Sequence, residues 1–254
     1  MDKISIFWFR RDLRLHDNVA LFNALKSVEK VLPIFIFDTS ILEKLPKNDA
    51  RVSFIIKELR SMNEHLKSFD ASINIYHGKP IEIFESLIKK YPIASVFTNH
   101  DYEPYAIKRD QEIKELLSSE NINFNSFKDQ VIFEKNEITK KDGNPYVVYT
   151  PYSKKWIEAY EQINHTHYTS EDLLSQLYTQ SKAKELTLEE LGFEETNTPI
   201  KNYIFNSRII NEYEETRNFP ALDNTSKLGP HLRFGTVSVR QMVSRAEEQE
   251  NKTF

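Results

Sequence analysis

The residues best suited to chemistry gather in three places. Trp8-Phe9-Arg10-Arg11-Asp12-Leu13-Arg14-Leu15-His16-Asp17-Asn18 carries an apolar run into three arginines, two aspartates and a histidine. So many charges beside a buried strand need specific partners or a ligand. Any single arginine here suits a structural ion pair, whereas the run as a whole suits a binding loop. The next cluster is Asn99-His100-Asp101-Tyr102-Glu103-Pro104-Tyr105, followed by Lys108-Arg109-Asp110. A helix start explains Glu103 and Pro104 but not the crowding of His100, Asp101, Tyr102 and Tyr105, which points to a ligand. The last is Tyr213 with Asp223-Asn224-Thr225-Ser226-Lys227-Leu228-Gly229. Two hydroxyls, an ammonium and successive backbone N–H groups in one turn can hold a pyrophosphate. The same residues can equally form a Ser/Thr cap on a helix, and the residues alone leave both open.

Other chemistries are excluded or disfavoured. The 254 residues contain no cysteine, so disulfides, thiolate catalysis and Cys-based metal sites are absent. Neither G-x-G-x-x-G nor G-x-x-x-x-G-K-[ST] can be written from the five glycines, which removes the common glycine-rich nucleotide loops. No Ser-His-Asp or metal-ligand spacing stands out, and His165 and His167 read as solvated. A net charge of −4 counts against a broad nucleic-acid surface, with Arg233, Arg240 and Arg245 the one local hint of such a surface. No apolar run approaches the ~20 residues of a membrane helix, and Met1-Asp2-Lys3-Ile4 does not open a signal peptide. A cytoplasmic protein without membrane contact is expected.

The elements that must position these clusters alternate. Apolar runs at 4–9, 31–37, 72–76, 93–97 and 122–127 read as strands, with Pro33 near the entrance of the second. Helical spacing covers 18–27, 51–67, a segment opened by Pro80, and 105–118. This predicts an α/β fold, a doubly wound five-stranded parallel sheet with helices on both faces. The first two clusters then lie at the carboxyl ends of strands one and four, which flank the reversal of strand order where ligands bind. The alternation stops after residue 132. A turn at Lys140-Lys141-Asp142-Gly143-Asn144-Pro145 precedes a helix starting near Lys154. Residues 160–200 read as a long polar connection over the surface with a short helix at 171–177, and helical spacing returns from 206, with a helix at 241–249. The expected division is 1–132, 133–200 and 201–254, the last the beginning of an all-α domain, with Asn251-Lys252-Thr253-Phe254 carrying no stop signal.

The opening run resembles the signature of the DNA photolyase/cryptochrome family, and further segments match in order. Asn99 to Tyr105 is similar to the family's loop after the fourth strand. Thr150-Pro151-Tyr152 with Lys155-Trp156 resembles its Thr-Pro-aromatic segment. Thr225-Ser226-Lys227-Leu228-Gly229 resembles its flavin-phosphate turn, and Pro230-His231-Leu232-Arg233-Phe234-Gly235 the run that follows it. The resemblance implies FAD held by Tyr213, Thr225, Ser226, Lys227, Leu228 and Gly229. It also implies an antenna chromophore lined by Arg10, Phe35, Phe37, Asp38, Arg51 and Asp101. Taken without it, Phe35 and Phe37 read as core and Arg51 as an exposed arginine. Folate-antenna members carry Asn-Glu where Tyr105-Ala106 stand here, so a deazaflavin or flavin antenna is expected over folate. The implied activity is that of a carbon–carbon lyase, a blue-light-driven, FAD-dependent repair of cyclobutane pyrimidine dimers in damaged DNA by a monomer. A cryptochrome photoreceptor and a stand-alone chromophore- or nucleotide-binding α/β protein are the other readings. In the family, later helices supply most of the flavin pocket, the dimer cavity and the electron-transfer tryptophans. This chain has only Trp8 and Trp156, so it is expected to be an amino-terminal portion, inactive alone, that holds FAD weakly.

Overall fold

The apolar runs form one parallel sheet in the order β3-β2-β1-β4-β5, in a computed structural model that describes residues 2–164, 166–180 and 185–249. His165 and residues 251–254 lie outside the described residues. The strands are β1 (Ile4–Phe9), β2 (Lys30–Asp38), β3 (Asn74–Gly78), β4 (Ile93–Asn99) and β5 (Asn123–Phe127). All six residues of the central β1 are buried, as suits a parallel strand covered on both faces. Pro33 lies inside β2, opposite Phe7. β3 pairs with β2 only from Ile34 onward, so at Pro33 the strand has one neighbour and a missing N–H is tolerated. β3 starts two residues later than its alternation predicts because Asn63 on the preceding helix accepts from Ile73 N at 2.7 Å and holds the chain away from the sheet.

Helices α1 (Val19–Leu25), α2 (Thr39–Leu42), α3 (Ala50–Leu66), α4 (Pro80–Lys90) and α5 (Pro104–Ser119) separate the strands. Asn18 and Asp49 cap α1 and α3 through their side chains, and Pro80 and Pro104 open α4 and α5, where a missing N–H costs nothing. Phe7 and Phe9 pack with residues of α1 and α3, whereas Ile6 and Trp8 pack with Phe84 of α4 and Ile113 of α5. Alternate residues of β1 thus serve opposite faces, and the doubly wound arrangement is the one expected. Full burial of each such side chain is worth about 1.5–3 kcal/mol.

Four further features differ from expectation. α6 (Tyr149–Tyr160) starts five residues before Lys154, because Pro151 falls in its first turn. The predicted helix at 171–177 is a 3-10 segment, Ser170–Gln176. The polar connection does not merely cross the surface: Leu174, Leu177, Leu191 and Phe193 are buried in the main core, and Tyr178 N donates to Val31 O at 2.8 Å. The helical return at 206 breaks at Glu212 into α7 (Ser207–Asn211) and α8 (Tyr213–Thr216); α9 (Leu228–Phe234) and α10 (Val239–Glu247) follow. No helix among the described residues is long and apolar enough to cross a membrane.

Candidate functional site

The loop after β1 divides. Arg10 and Arg11 turn toward the carboxyl edge of the sheet, where a cavity of about 360 Å³ lies among the ends of β1 and β2, the loop after β4, α5 and α9. The structure places Arg10, Phe35, Phe37, Asp38, Arg51 and Asp101 together in its wall. Trp8, Arg11, Tyr105, Arg109, Arg233 and Phe234 also line it; they stand in the runs noted in the sequence but were not among the residues expected at the antenna pocket. Tyr105 and Arg109 stand four apart on α5, so their shared face was legible from helical spacing. Arg233 and Phe234 arrive on α9 from far along the chain, and nothing in their own run tied them to this cavity.

The wall combines aromatic surface with paired charge. Phe35 and Phe37 meet edge to face with centroids 4.9 Å apart. The guanidinium carbons of Arg10 and Arg109 each lie 4.9 Å from the centre of the Trp8 ring, within cation–π range. Arg10 and Arg109 both bind Asp110 Oδ1, at 2.5 and 2.9 Å. Burial, with the like charge of Arg10, holds the Arg109 guanidinium below the usual arginine range. Arg11 reaches Asp101 at 3.1 Å and Glu103 at 3.0 Å, and Arg233 meets the same Glu103 oxygen at 2.5 Å. Tyr105 donates to Asp38 Oδ2 at 2.5 Å; burial and then that bond push its phenol upward. Arg51 is half-exposed and grips its cap residue Asp49 through two contacts, at 2.8 and 2.6 Å. Such a cleft suits a planar ligand carrying negative charge. No group of three or more metal-ligating side chains occurs among the described residues.

The second half of the loop is a clasp. Arg14 binds Asp129 Oδ2 at 2.7 Å and donates to the carbonyls of Asp17 at 2.8 Å and Gly235 at 3.1 Å. Arg240 on α10 binds Asp17 Oδ2 at 3.0 Å and Asp129 Oδ1 at 2.9 Å, and Ser238 donates to Asp17. Burial alone would raise the Asp129 carboxyl, but Arg14 and Arg240 more than reverse this and leave it below the ordinary value. Asp12 is raised by burial. Gly235 has φ +64°, and a Cβ there would overlap the Arg11 carbonyl oxygen and stand 2.6 Å from Asp12 Cα. Two expectations are corrected. Arg240 is engaged in the clasp, so it is not a free surface cation for nucleic acid. His167 is half-exposed but faces buried Asp17 at 3.4 Å and Glu171 at 3.6 Å.

The turn before α9 is of another kind. Lys227 takes the left-handed conformation, φ 56°, at the cap position, and no side-chain cap bond is made, so the Ser/Thr-capped helix is not what forms. Ser226 O accepts from Ile204 N at 2.7 Å, Lys227 pairs with Asp223, and Leu228 is buried with Val237 and Met242. Thr225 and Gly229 are exposed. Tyr213 opens α8 and is tied to the turn indirectly, through Asn224, which donates to Glu212 at 2.9 Å and Thr216 at 3.3 Å.

The chain is similar to known proteins along nearly its whole length. A deoxyribodipyrimidine photo-lyase of Synechococcus sp. strain PCC 6301 is 30% identical, over 97% of this chain and 56% of its own length. The crystal structure of a bacterial class III photolyase from Agrobacterium tumefaciens superposes with a TM-score of 0.76 at 26% identity, covering 96% of this chain and 53% of that one. An uncharacterized 31.6 kDa protein of Synechococcus sp. strain PCC 6716 is 25% identical over 96% of this chain and 89% of its own length. The chain spans about half the length of the curated photolyases it matches. The family model described as DNA photolyase matches residues 5–171, and the chain belongs to that family.

Proposed function

We propose that this chain is the amino-terminal portion of a deoxyribodipyrimidine photolyase, a blue-light-driven, FAD-dependent lyase acting on cyclobutane pyrimidine dimers in DNA. Residues 1–132 form the antenna domain, 133–200 the connection and 201–254 the first part of the FAD-binding region. The observation that carries this is the convergence of Arg10, Phe35, Phe37, Asp38, Arg51 and Asp101 on one cavity. When bound, the chromophores supply light absorption and the electron for the dimer. The residues of this chain hold and orient them. Phe35, Phe37 and Trp8 offer ring surface, Arg10 and Arg109 fix the edge of the cleft, and Asp38 with Tyr105 gives an acceptor and a hydroxyl for the polar side of a deazaflavin or flavin.

The turn at Thr225-Ser226-Lys227-Leu228-Gly229 suits the flavin pyrophosphate. Its left-handed cap residue makes no side-chain cap bond, Leu228 N–H is met only by Ser226 Oγ at 3.5 Å, and its hydroxyls and ammonium add charge-assisted donors. Asp223 must release Lys227 for this, and Tyr213 stands on the adjoining helix. In a chain that also carries the second half present in the photolyase relatives, Ser226→Ala with Lys227→Ala should lower FAD occupancy; unchanged flavin content would remove this assignment. The 254 residues alone should show no dimer reversal under blue light, and detectable reversal would contradict that. A stand-alone chromophore-binding protein is the second reading, favoured by the near full-length match to the 31.6 kDa relative. It predicts antenna binding with no role for the turn.

A further inference from the structure

Trp156 and Tyr160 stand about one turn apart on α6, a spacing that puts them on one helix face. Their rings stack nearly parallel, 9° between planes with centroids 5.1 Å apart. The other stacked pair among the described residues, Phe97 with Phe127, is made of rings that resist oxidation. Indole and phenol are the two side-chain rings that give up an electron most readily. Exposure is graded along the pair: Trp156 is half-buried and meets Phe133 edge-on, whereas Tyr160 is buried. The Tyr160 hydroxyl donates to Glu247 Oε2 on α10 at 2.9 Å, and Glu247 is exposed. Burial, and then Glu247, push the phenol up to about 12. At neutral pH it therefore keeps its proton and loses it only together with an electron. Packing alone would be met by any apolar ring at position 160, and a buried hydroxyl by any acceptor. A packing role leaves unexplained the combination of an outer indole, an inner phenol and a carboxylate that joins that phenol to water.

We propose that Trp156, Tyr160 and Glu247 form a radical relay, which draws oxidising equivalents from the surface of α6 and holds them as a tyrosyl radical. A diffusible radical oxidant takes one electron from the Trp156 indole and leaves its radical cation. Tyr160 then gives one electron to the indole across the stack, while its phenolic proton passes along the existing hydrogen bond to Glu247. Trp156 is restored, Tyr160 becomes a neutral phenoxyl radical and Glu247 a neutral carboxylic acid, so charge and protons balance. Tyr160 also borders a cavity of about 590 Å³ whose lining includes Lys128, Arg240 and Arg245, with Glu137 as the single lining carboxylate. Such a lining favours the approach of an anionic reductant. One electron from an enediolate such as ascorbate, with the proton returned by Glu247, restores the phenol. The relay needs no flavin, and neither of its rings lines the cavity at the strand ends.

The purified chain carrying Trp8→Phe, in which Trp156 is the sole indole, serves for the test. Azide radicals made by pulse radiolysis oxidise the indole, and the indole and phenoxyl radicals are followed by their separate absorption bands. The indole radical should decay as the phenoxyl radical appears, at a rate independent of protein concentration. In Tyr160→Phe, which keeps the stacked ring, the indole radical should live at least about tenfold longer. Glu247→Gln keeps an acceptor but removes the base, and should slow the phenoxyl rise severalfold; D2O should slow the rise in the chain that retains Glu247. An indole lifetime unchanged in Tyr160→Phe would overturn the relay, because another group would then supply the electron. A rise that scales with protein concentration would overturn it as a reaction between molecules. A rise unaffected by Glu247→Gln would remove the proton acceptor and with it the relay as drawn. Circular dichroism checks the fold of each variant. Should Tyr160→Phe fail to fold, Glu247→Gln, at an exposed position, decides the matter alone.

Discussion

Residues 10–18 form one loop with two fates. In its first part, Arg10 and Arg11 meet carboxylates that are shared with other arginines and line an open cavity. In its second part, Arg14 and Asp17 are closed off on every side by Asp129, Ser238 and Arg240. The residue types are nearly the same. What differs is what the distant chain brings. Residue 129 and α10 supply counter-charges that complete the second network, whereas Glu103 and Arg233 only border the first and leave room for a ligand. A charged run at a strand end is therefore neither a site nor a staple in itself; the elements packed over it decide which it becomes.

The contrast can be broken by substitution. Asp129→Asn removes one member of a buried ion cluster and leaves Arg14 and Arg240 under-compensated, at a cost of about 3–5 kcal/mol. Denaturant titration should show the loss, while the protein that remains folded keeps its chromophore affinity. Gly235→Ala should cost about 2–4 kcal/mol through its left-handed backbone and its overlap with the Arg11 carbonyl. A melting temperature unchanged by this substitution would mean that α9 does not press on the loop.

Acid should weaken the clasp. Asp129 is held below its ordinary value, so as pH falls the unfolded chain takes up this proton first. Its stabilising contribution is complete above about pH 4, the ordinary aspartate range, and is lost as pH falls through the folded-state value. Asp12, raised by burial, works in the opposite sense. Stability measured from pH 6 to pH 2 should fall less steeply in Asp129→Asn than in the native chain. The smallest effect on stability belongs to the cavity: Arg51→Ala should change it by no more than about 0.5 kcal/mol yet weaken chromophore binding. A large fall in melting temperature would instead give Arg51 a structural role.

Much of the fold was legible because β1 and β2 are unbroken apolar runs and α3 and α4 keep a clear helical stripe. The cavity was legible to the extent that it is built from strand ends and a helix start, where position in the sequence fixes position on the sheet. The clasp was not, because Arg14 and Asp129 lie 115 residues apart and Arg240 and Asp17 lie 223 apart. Nothing local distinguishes Arg240 from a surface arginine. The buried Leu174, Leu177, Leu191 and Phe193 were hidden for a related reason: they are isolated apolar residues in a polar segment, without a period to mark a face. Ser226 and Thr225 suggested a capped helix, but Lys227 occupies the cap, since backbone conformation overrode side-chain preference.

Trp8 and Trp156 are the only tryptophans, and they report on different places. Trp8 lines the cavity, whereas Trp156 packs on Phe133 and Tyr160. Each can be isolated, in Trp156→Phe and Trp8→Phe, and its emission followed as flavin mononucleotide is added. A chromophore site at the ends of β1 and β4 predicts saturable quenching that is far stronger for Trp8 than for Trp156. Stronger quenching of Trp156, or saturable binding that leaves Trp8 emission unchanged, would contradict the placement of the chromophore in this cavity.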